Sequence, residues 1–129
     1  MTILVTGSSG HLGEALVRML RAEGRAVRGL DVRPSAFTDV VGSIADAAVC
    51  ASAVRDVSAV LHTATLHKPH VATHSRQDFV DTNITGTLNL LEASAKADVE
   101  AFVFTSTTSA FGDSLKPGPG EPAVWIDET

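Results

Sequence analysis

Three glycines at intervals of three residues, Gly7, Gly10 and Gly13, constrain the fold of this chain more than any other feature. They lie in ILVTGSSGHLGEAL, residues 3–16, directly after an apolar run at 3–5 that predicts a buried strand. Apolar residues then recur at helical spacing, at Leu12, Ala15, Leu16, Met19 and Leu20. The stretch therefore predicts a strand, a tight glycine-rich turn and a helix in direct succession.

A glycine-rich turn between a strand and a helix can bind phosphate groups. Gly7 would allow the tight turn, Gly10 would let the backbone approach a pyrophosphate, and Gly13 would let the helix pack closely. The amides at the helix N-terminus would face the phosphates, together with the positive end of the helix dipole. A turn that merely joins two elements is the alternative. The acidic Asp31 at the end of the next strand favours nucleotide binding instead.

The rest of the chain alternates between strand-like and helix-like patterns. Further strands are predicted at 26–32, 57–64 and 101–111, helices at 46–54 and 73–97, and an irregular tail at 112–129. Strands that alternate with helices favour an α/β fold with a parallel sheet, because parallel neighbours need crossover connections. The 129 residues match the size of a single domain, which we expect to span 1–129.

Composition excludes several classes of partner. The formal net charge of -5 removes the attraction on which nonspecific binding to nucleic acid or anionic membranes depends. No apolar run approaches the roughly 20 residues that span a bilayer, so we expect a cytoplasmic protein.

The single cysteine, Cys50, cannot form an internal disulfide and lies among small apolar residues, where we expect it to be buried.

Three motifs in order resemble those of a known family. TGSSGHLG (6–13), DTNITGTLNLLEAS (81–94) and FVFTSTTSAFGD (102–113) are similar to the motifs of extended short-chain dehydrogenase/reductases of the NAD-dependent epimerase/dehydratase type. The resemblance covers essentially the whole chain and concerns the N-terminal nucleotide-binding portion of that family. It implies a Rossmann-like parallel sheet with strand order 3-2-1-4, truncated after the fourth strand.

The resemblance also implies a set of cofactor-binding residues. These are Gly7, Ser9, Gly10, His11, Leu12, Gly13, Asp31, Val32, Arg33, Ser43, Ile44, His62, Thr63, Ala64, Thr65, Asn83 and Thr105. Asp31 would bind the adenosine ribose and repel a 2′-phosphate, which favours NAD over NADP, although the guanidinium of Arg33 leaves NADP open. Ser43 stands where the family commonly has an aspartate at the adenine. Asn83 would anchor the loop near the cofactor, or could serve as a buried or capping amide.

Catalysis in this family needs a hydroxyl, a tyrosine and a lysine. The resemblance assigns the hydroxyl to Thr107, with Ser106 as the second choice, and both could instead cap the end of the strand. The sequence contains no tyrosine, and the Tyr-x-x-x-Lys motif would be expected beyond Thr129. Phe111 has no ionisable hydroxyl and Lys116 has no tyrosine to support. We therefore expect no appreciable hydride transfer by these 129 residues alone.

Four histidines, His62, His67, His70 and His74, crowd the segment after the third predicted strand. His70 and His74 have the i, i+4 spacing of helical metal ligands. The segment lacks an H-E-x-x-H pattern and contains Pro69, so we expect no metal site and assign His62 to orienting the cofactor loop.

Two functions remain open. The first is the NAD-binding part of an epimerase, dehydratase or oxidoreductase that acts on a sugar or a related alcohol or carbonyl substrate. The second is a non-catalytic dinucleotide-binding module, such as a sensor or an assembly partner. The predicted sheet edge at 101–105 and the helix at 73–97 also favour a homo-oligomer or a complex with a completing fragment.

Overall fold

The computed structural model describes residues 1–107, 111–112 and 116–125. Its strands are β1 (Thr2–Thr6), β2 (Ala26–Asp31), β3 (Val40–Val41), β4 (Val57–His62) and β5 (Ala101–Phe104). They pair in parallel in the order β3-β2-β1-β4-β5. Its α-helices are α1 (His11–Ala22), α2 (Ala47–Ala53), α3 (Arg76–Val80) and α4 (Thr87–Lys96). A 3₁₀ helix covers Lys68–Ala72, and a π-helical turn covers Asp81–Gly86.

The sheet is covered by helices on both faces, as the near-continuous apolar sequence of β1 requires. Alternate residues of β1 point to opposite faces, and Leu4 and Val5 are both fully buried. Leu4 packs in a cluster with residues of α2 and α4, including Leu90. Val5 packs in a second cluster with Val17 and Leu20 of α1. The domain therefore has three layers, and the predicted α/β fold with a Rossmann-like parallel sheet is confirmed.

Strand β3 corrects the predicted assignment of strands. The segment predicted as the third strand, 57–64, forms β4 and pairs with β1 rather than with β2. The two residues of β3 pair with Leu30 and Asp31 of β2 and complete the order 3-2-1-4, which β5 extends by one strand. A strand of two residues is too short to show an alternating pattern, so no periodicity in the sequence marks it.

Element ends also differ from the predictions. The last predicted strand, 101–111, ends as a strand at Phe104, and residues 108–110 lie outside the described residues. Residues 116–125 of the predicted tail contain no helix or strand, whereas 113–115 and 126–129 are not among the described residues. No helix in the described part of the chain is long and apolar enough to cross a bilayer.

The predicted helix at 73–97 is present from Arg76 to Lys96, but a π-helical turn interrupts it. Thr87, at the start of α4, donates a side-chain hydrogen bond of 2.8 Å to the carbonyl oxygen of Asn83 inside that turn. After the turn, Leu90 and Ala93 of α4 face the core. The turn thus separates α4, which packs in the core, from α3, which has no buried residue.

The predicted helix at 46–54 corresponds to α2, which begins after Asp46. The Asp46 carboxylate accepts hydrogen bonds from the amides of Ala48 and Val49, as an N-cap does. Cys50 of α2 is buried, as expected, and its thiol donates to the carbonyl oxygen of Ile44. Burial raises the pKa of the Cys50 thiol to about 11, so this cysteine is an apolar core residue.

Candidate functional site

A cleft of about 710 Å³ opens at the carboxyl ends of the parallel strands. The loops that follow β1, β2 and β4 form its walls. The order of the strands reverses here, because β2 and β4 lie on opposite sides of β1. Ligands of open α/β sheets bind at such a switch point, so the fold predicts a ligand-binding site in this cleft.

The glycine-rich turn forms the floor of the cleft, where the sequence analysis placed it. Gly7 has a φ of +71°, and a Cβ there would lie 2.9 Å from the amide nitrogen of Ala64. A Cβ on Gly13 would collide with the carbonyl oxygen of Gly7. Both positions therefore need glycine, the first for its backbone conformation and the second for the close packing of α1 on the turn.

Hydrogen-bond donors are concentrated where α1 begins. The helix starts after Gly10 without a side-chain cap, so its first amides have no intrahelical acceptor. His11 and Leu12, at the start of the helix, line the cleft. The hydroxyl oxygen of Ser9 is buried and has no hydrogen-bond partner among the described residues. This end of the helix can bind an anionic group.

Asp31 ends β2 at the edge of the cleft and is only 9% exposed. Its Oδ2 accepts a hydrogen bond of 3.0 Å from the amide of Ser9, and its Oδ1 accepts one of 2.9 Å from the amide of Arg33. A carboxylate oxygen can accept more than one hydrogen bond, so Asp31 can still accept from two neighbouring hydroxyls of a ligand. Val32, Arg33, Ser43 and Ile44 continue this end of the cleft.

The opposite wall follows β4 and contains the predicted residues Thr63, Ala64 and Thr65. Asn83 fixes this segment: its Oδ1 accepts from the amide of Leu66 at 2.8 Å, and its Nδ2 donates to the carbonyl oxygen of Leu66 at 2.8 Å. Thr65 also donates to Asn83 Oδ1. Asn83 therefore anchors the loop, while its side chain lies outside the cleft lining.

Taken together, the turn, the helix start and the Asp31 carboxylate fit a dinucleotide, whereas the predicted residue Ser9 does not line the cleft. A pyrophosphate needs clustered amide donors, and a ribose needs an acceptor for its hydroxyls. The cleft offers both within one continuous space.

His62 lies beneath this wall rather than on it and is 2% exposed. Thr87 Oγ1 donates to Asn83, so it accepts from His62 Nε2 at 3.0 Å. Thr6 Oγ1 accepts from the amides of Thr63 and Ala64, so it donates to His62 Nδ1 at 2.7 Å. His62 is thus the neutral tautomer with its proton on Nε2. Burial lowers the pKa of His62 to about 4, in agreement with this assignment.

The predicted catalytic hydroxyls lie in an adjoining cavity of about 780 Å³. Thr105, Ser106 and Thr107 line it after the end of β5, together with Phe104 and Lys68. Thr105 belongs to both spaces, as do residues of the segment that follows β4. The structure therefore brings these hydroxyls to the border of the cleft but does not place Ser106 or Thr107 inside it.

Several residues of the cleft were not predicted to bind a cofactor: Leu30, Gly42, Leu66, His67, His70, His74, Asp78 and Thr82. Three of them, His74, Asp78 and Thr82, are spaced at i, i+4 and i+8, which is a helical signal that could have grouped them. His67 and His70 lie at the 3₁₀ helix, whose geometry the sequence does not reveal. Within the described residues no three metal-ligating side chains converge.

Comparisons with known proteins agree with this geometry. A model of the family described as "NAD dependent epimerase/dehydratase family" matches residues 3–124. The 3 beta-hydroxysteroid dehydrogenase/Delta 5-->4-isomerase of Mycobacterium tuberculosis is 38% identical over 117 residues, covering 83% of this chain and 32% of that protein.

Two solved structures share the fold. A short-chain dehydrogenase/reductase superfamily protein from Agrobacterium tumefaciens with bound NAD has a TM-score of 0.80 and 40% identity, over 88% of this chain and 35% of that one. MoeE5 in complex with UDP-glucose and NAD has a TM-score of 0.76 and 30% identity, over 87% of this chain and 38% of that one. The chain thus spans about a third of the length of these relatives.

Proposed function

Because this chain belongs to the NAD dependent epimerase/dehydratase family, we propose that it binds NAD in the cleft and forms the nucleotide-binding part of an NAD-dependent epimerase, dehydratase or oxidoreductase. The observation that carries this proposal is the juxtaposition of the uncapped start of α1 with the Asp31 carboxylate in one cleft. Two of the structures that share the fold contain NAD. The cytoplasmic location expected from the sequence remains part of the proposal.

In this proposal each wall of the cleft binds a different part of NAD. The amides at the start of α1 hold the pyrophosphate, and Asp31 accepts hydrogen bonds from the adenosine ribose. Ser43 and Ile44 lie at the adenine end, and Thr63, Ala64 and Thr65 follow the central portion of the cofactor. When bound, NAD supplies an acceptor for a hydride.

The adjoining cavity supports a proposal for the substrate class. Thr107, with Ser106 as the second choice, would donate a hydrogen bond to the oxygen of a substrate alcohol or carbonyl group. Its position in a cavity rich in hydroxyl groups next to the cleft supports a sugar or a related polar substrate. MoeE5, one of the similar structures, was solved with UDP-glucose. We therefore propose a small-molecule substrate of this kind.

Replacing Asp31 tests the cofactor assignment. Asp31→Ala should weaken NAD binding by about tenfold, because the ribose loses its charged acceptor. It should change NADP binding less, because the repulsion of the 2′-phosphate is lost together with the acceptor. Calorimetric titration with both cofactors measures the two affinities.

The control for this experiment is Asp98→Asn, which removes a carboxylate from a residue that does not line the cleft. Tighter binding of NADP than of NAD by the unmodified chain would reverse the assignment and would transfer the dominant role to Arg33.

A non-catalytic dinucleotide-binding module is the second candidate for these 129 residues, which contain no tyrosine. The two candidates predict different native proteins. A native mass near 13.4 kDa, together with NAD binding and no turnover, would support the module. A much heavier native chain that carries a tyrosine and a lysine beyond these residues would support the enzyme.

We further propose that this part of the protein associates with a second copy or with a completing fragment. The strand β5 lies at an edge of the described sheet, and Val103 and Phe104 on it are 54% and 55% exposed. A second apolar surface runs along the helix from Arg76 to Lys96, at Val80, Ile84, Leu88 and Leu91. Exposed apolar surface next to a strand edge favours association.

Light scattering over a dilution series tests this association. We expect a mass above that of the monomer at concentrations in the upper micromolar range, and Val103→Lys should lower it, because a charged side chain protects a strand edge. The matched control is Val41→Lys on β3, the other edge of the described sheet. A monomeric mass at all concentrations, with ordinary solubility, would contradict the proposal.

A further inference from the structure

Three imidazoles stand in a row on the wall of the cleft that follows β4. The ring centroids of His67 and His70 are 4.6 Å apart, and those of His70 and His74 are 5.5 Å apart. The ring planes meet at 88° and 85°, so neighbouring rings are nearly perpendicular. All three line the same cleft as the glycine-rich turn. We call His67, His70 and His74 the imidazole row.

A hydrogen bond fixes the middle ring. The amide of His67 donates to His70 Nδ1 at 3.0 Å, and the amide of His70 donates to the carbonyl oxygen of His67 at 2.8 Å. Because His70 Nδ1 accepts a hydrogen bond, the proton of neutral His70 is on Nε2. Nε2 has no hydrogen-bond partner within the residues that the structure describes. His70 therefore holds an oriented N–H donor in the wall of the cleft.

The neighbouring polar groups are hydrogen-bonded elsewhere, so His70 Nε2 can donate to a ligand. Thr73 donates to the carbonyl oxygen of His70, and its hydroxyl oxygen accepts from His74 Nδ1 at 2.9 Å. The carboxylate of Asp78 is held by the amide and the hydroxyl of Ser75, at 2.7 Å and 2.8 Å. These bonds from Ser75, with the charge of His74 nearby, keep the pKa of Asp78 below its ordinary value. No carboxylate in the described chain hydrogen-bonds the row.

The charges around the row also favour an anion. The other titratable or charged groups nearby are Lys68 on the 3₁₀ helix, Asp78 on α3, His11 at the start of α1, and Asp31 and Arg33 after β2. The two carboxylates are already bound by protein donors.

We propose that the imidazole row binds a phosphoryl group, with His70 Nε2 as the principal donor. This group has two sources, the pyrophosphate of the bound dinucleotide or a phosphate of a second ligand in the adjoining cavity, which His67 also lines. In the first case the inference rests on the proposed NAD-binding function. In either case the row adds a second donor surface to the amides of α1.

Calorimetry with two His70 variants tests the first source. His70→Leu should weaken NAD binding by about tenfold, because a hydrogen bond to a charged group is lost. His70→Gln keeps an N–H donor, so it should bind NAD within about threefold of the unmodified chain. Val71→Ala, an exposed neighbour outside the cleft lining, is the control and should bind as the unmodified chain does.

A second arm tests the other source with inorganic pyrophosphate. Added to the chain saturated with NAD, pyrophosphate should bind, and His70→Leu should weaken that binding by about tenfold, if the row serves a second ligand. If NAD affinity and pyrophosphate affinity are both unchanged by His70→Leu, the inference is wrong while the proposed function stands. If the unmodified chain does not bind NAD, the proposed function fails, and the effect of His70→Leu on pyrophosphate binding to the free chain still decides the inference.

Discussion

Replacing Gly13 by alanine is expected to reduce NAD affinity by at least about 100-fold and to lower the free energy of unfolding by about 2 kcal/mol. The added Cβ would lie on the carbonyl group of Gly7, which is backbone and cannot move without reshaping the turn. The same turn carries the amides proposed to hold the pyrophosphate, so the distortion reaches the ligand directly. Calorimetric titration with NAD and urea unfolding measure the two effects.

Gly24→Ala is the matched control for this experiment. Unlike Gly13, Gly24 has a positive φ, +73°, and a Cβ there meets no atom within 4 Å. Backbone strain should cost about 1 kcal/mol of stability, and NAD affinity should not change, because Gly24 lies after the far end of α1. Equal loss of NAD affinity in both variants would show that binding follows global stability rather than the shape of the turn.

The buried His62 is expected to make the domain sensitive to acid. Its pKa is about 4 in the folded chain, against an ordinary value of 6.5, so the unfolded chain takes up a proton at a higher pH than the folded chain does. Stability should therefore be fully present above about pH 6.5 and should fall as the pH decreases toward 4. The loss through this one residue amounts to about 3 kcal/mol, because each pKa unit corresponds to about 1.4 kcal/mol.

Urea unfolding between about pH 7 and pH 4 measures this dependence. His62→Gln should lower stability at neutral pH, because the bonds to Thr6 and Thr87 change, but it should flatten the slope between pH 6.5 and 4. Comparing slopes removes the contribution of the carboxylates, which titrate in both proteins. Parallel slopes would contradict the assignment of the low pKa to His62.

The layers of the fold and much of the site could be predicted from the sequence because their signals are local. The glycine spacing predicts the turn, and the apolar run before it predicts β1. Asp46 predicts the start of α2 by the chemistry of its side chain. In each of these cases one short segment contains both the signal and the element that it specifies.

What could not be predicted depends on contacts between distant segments. Strand β3 exists because Val40 and Val41 meet Leu30 and Asp31, which no local pattern encodes. The tautomer of His62 is set by Thr6 and Thr87, which lie 56 and 25 positions away in sequence. The imidazole row could not be predicted as a donor surface, because the sequence shows the spacing of the histidines but not the direction of their nitrogen atoms.

Because of the π-helical turn at Asp81–Gly86, the number of residues in this segment determines which side chains N-terminal to α4 face the cleft. An α-helix rotates about 100° per residue, so deleting one residue between α3 and α4 would rotate α3 by that angle relative to α4. Leu90 would still pack in the core, whereas Asp78 and Thr82 would rotate off the cleft. A homologous chain that lacks the extra residue of this turn should therefore have a differently composed cleft wall, even if every side chain outside the turn were identical.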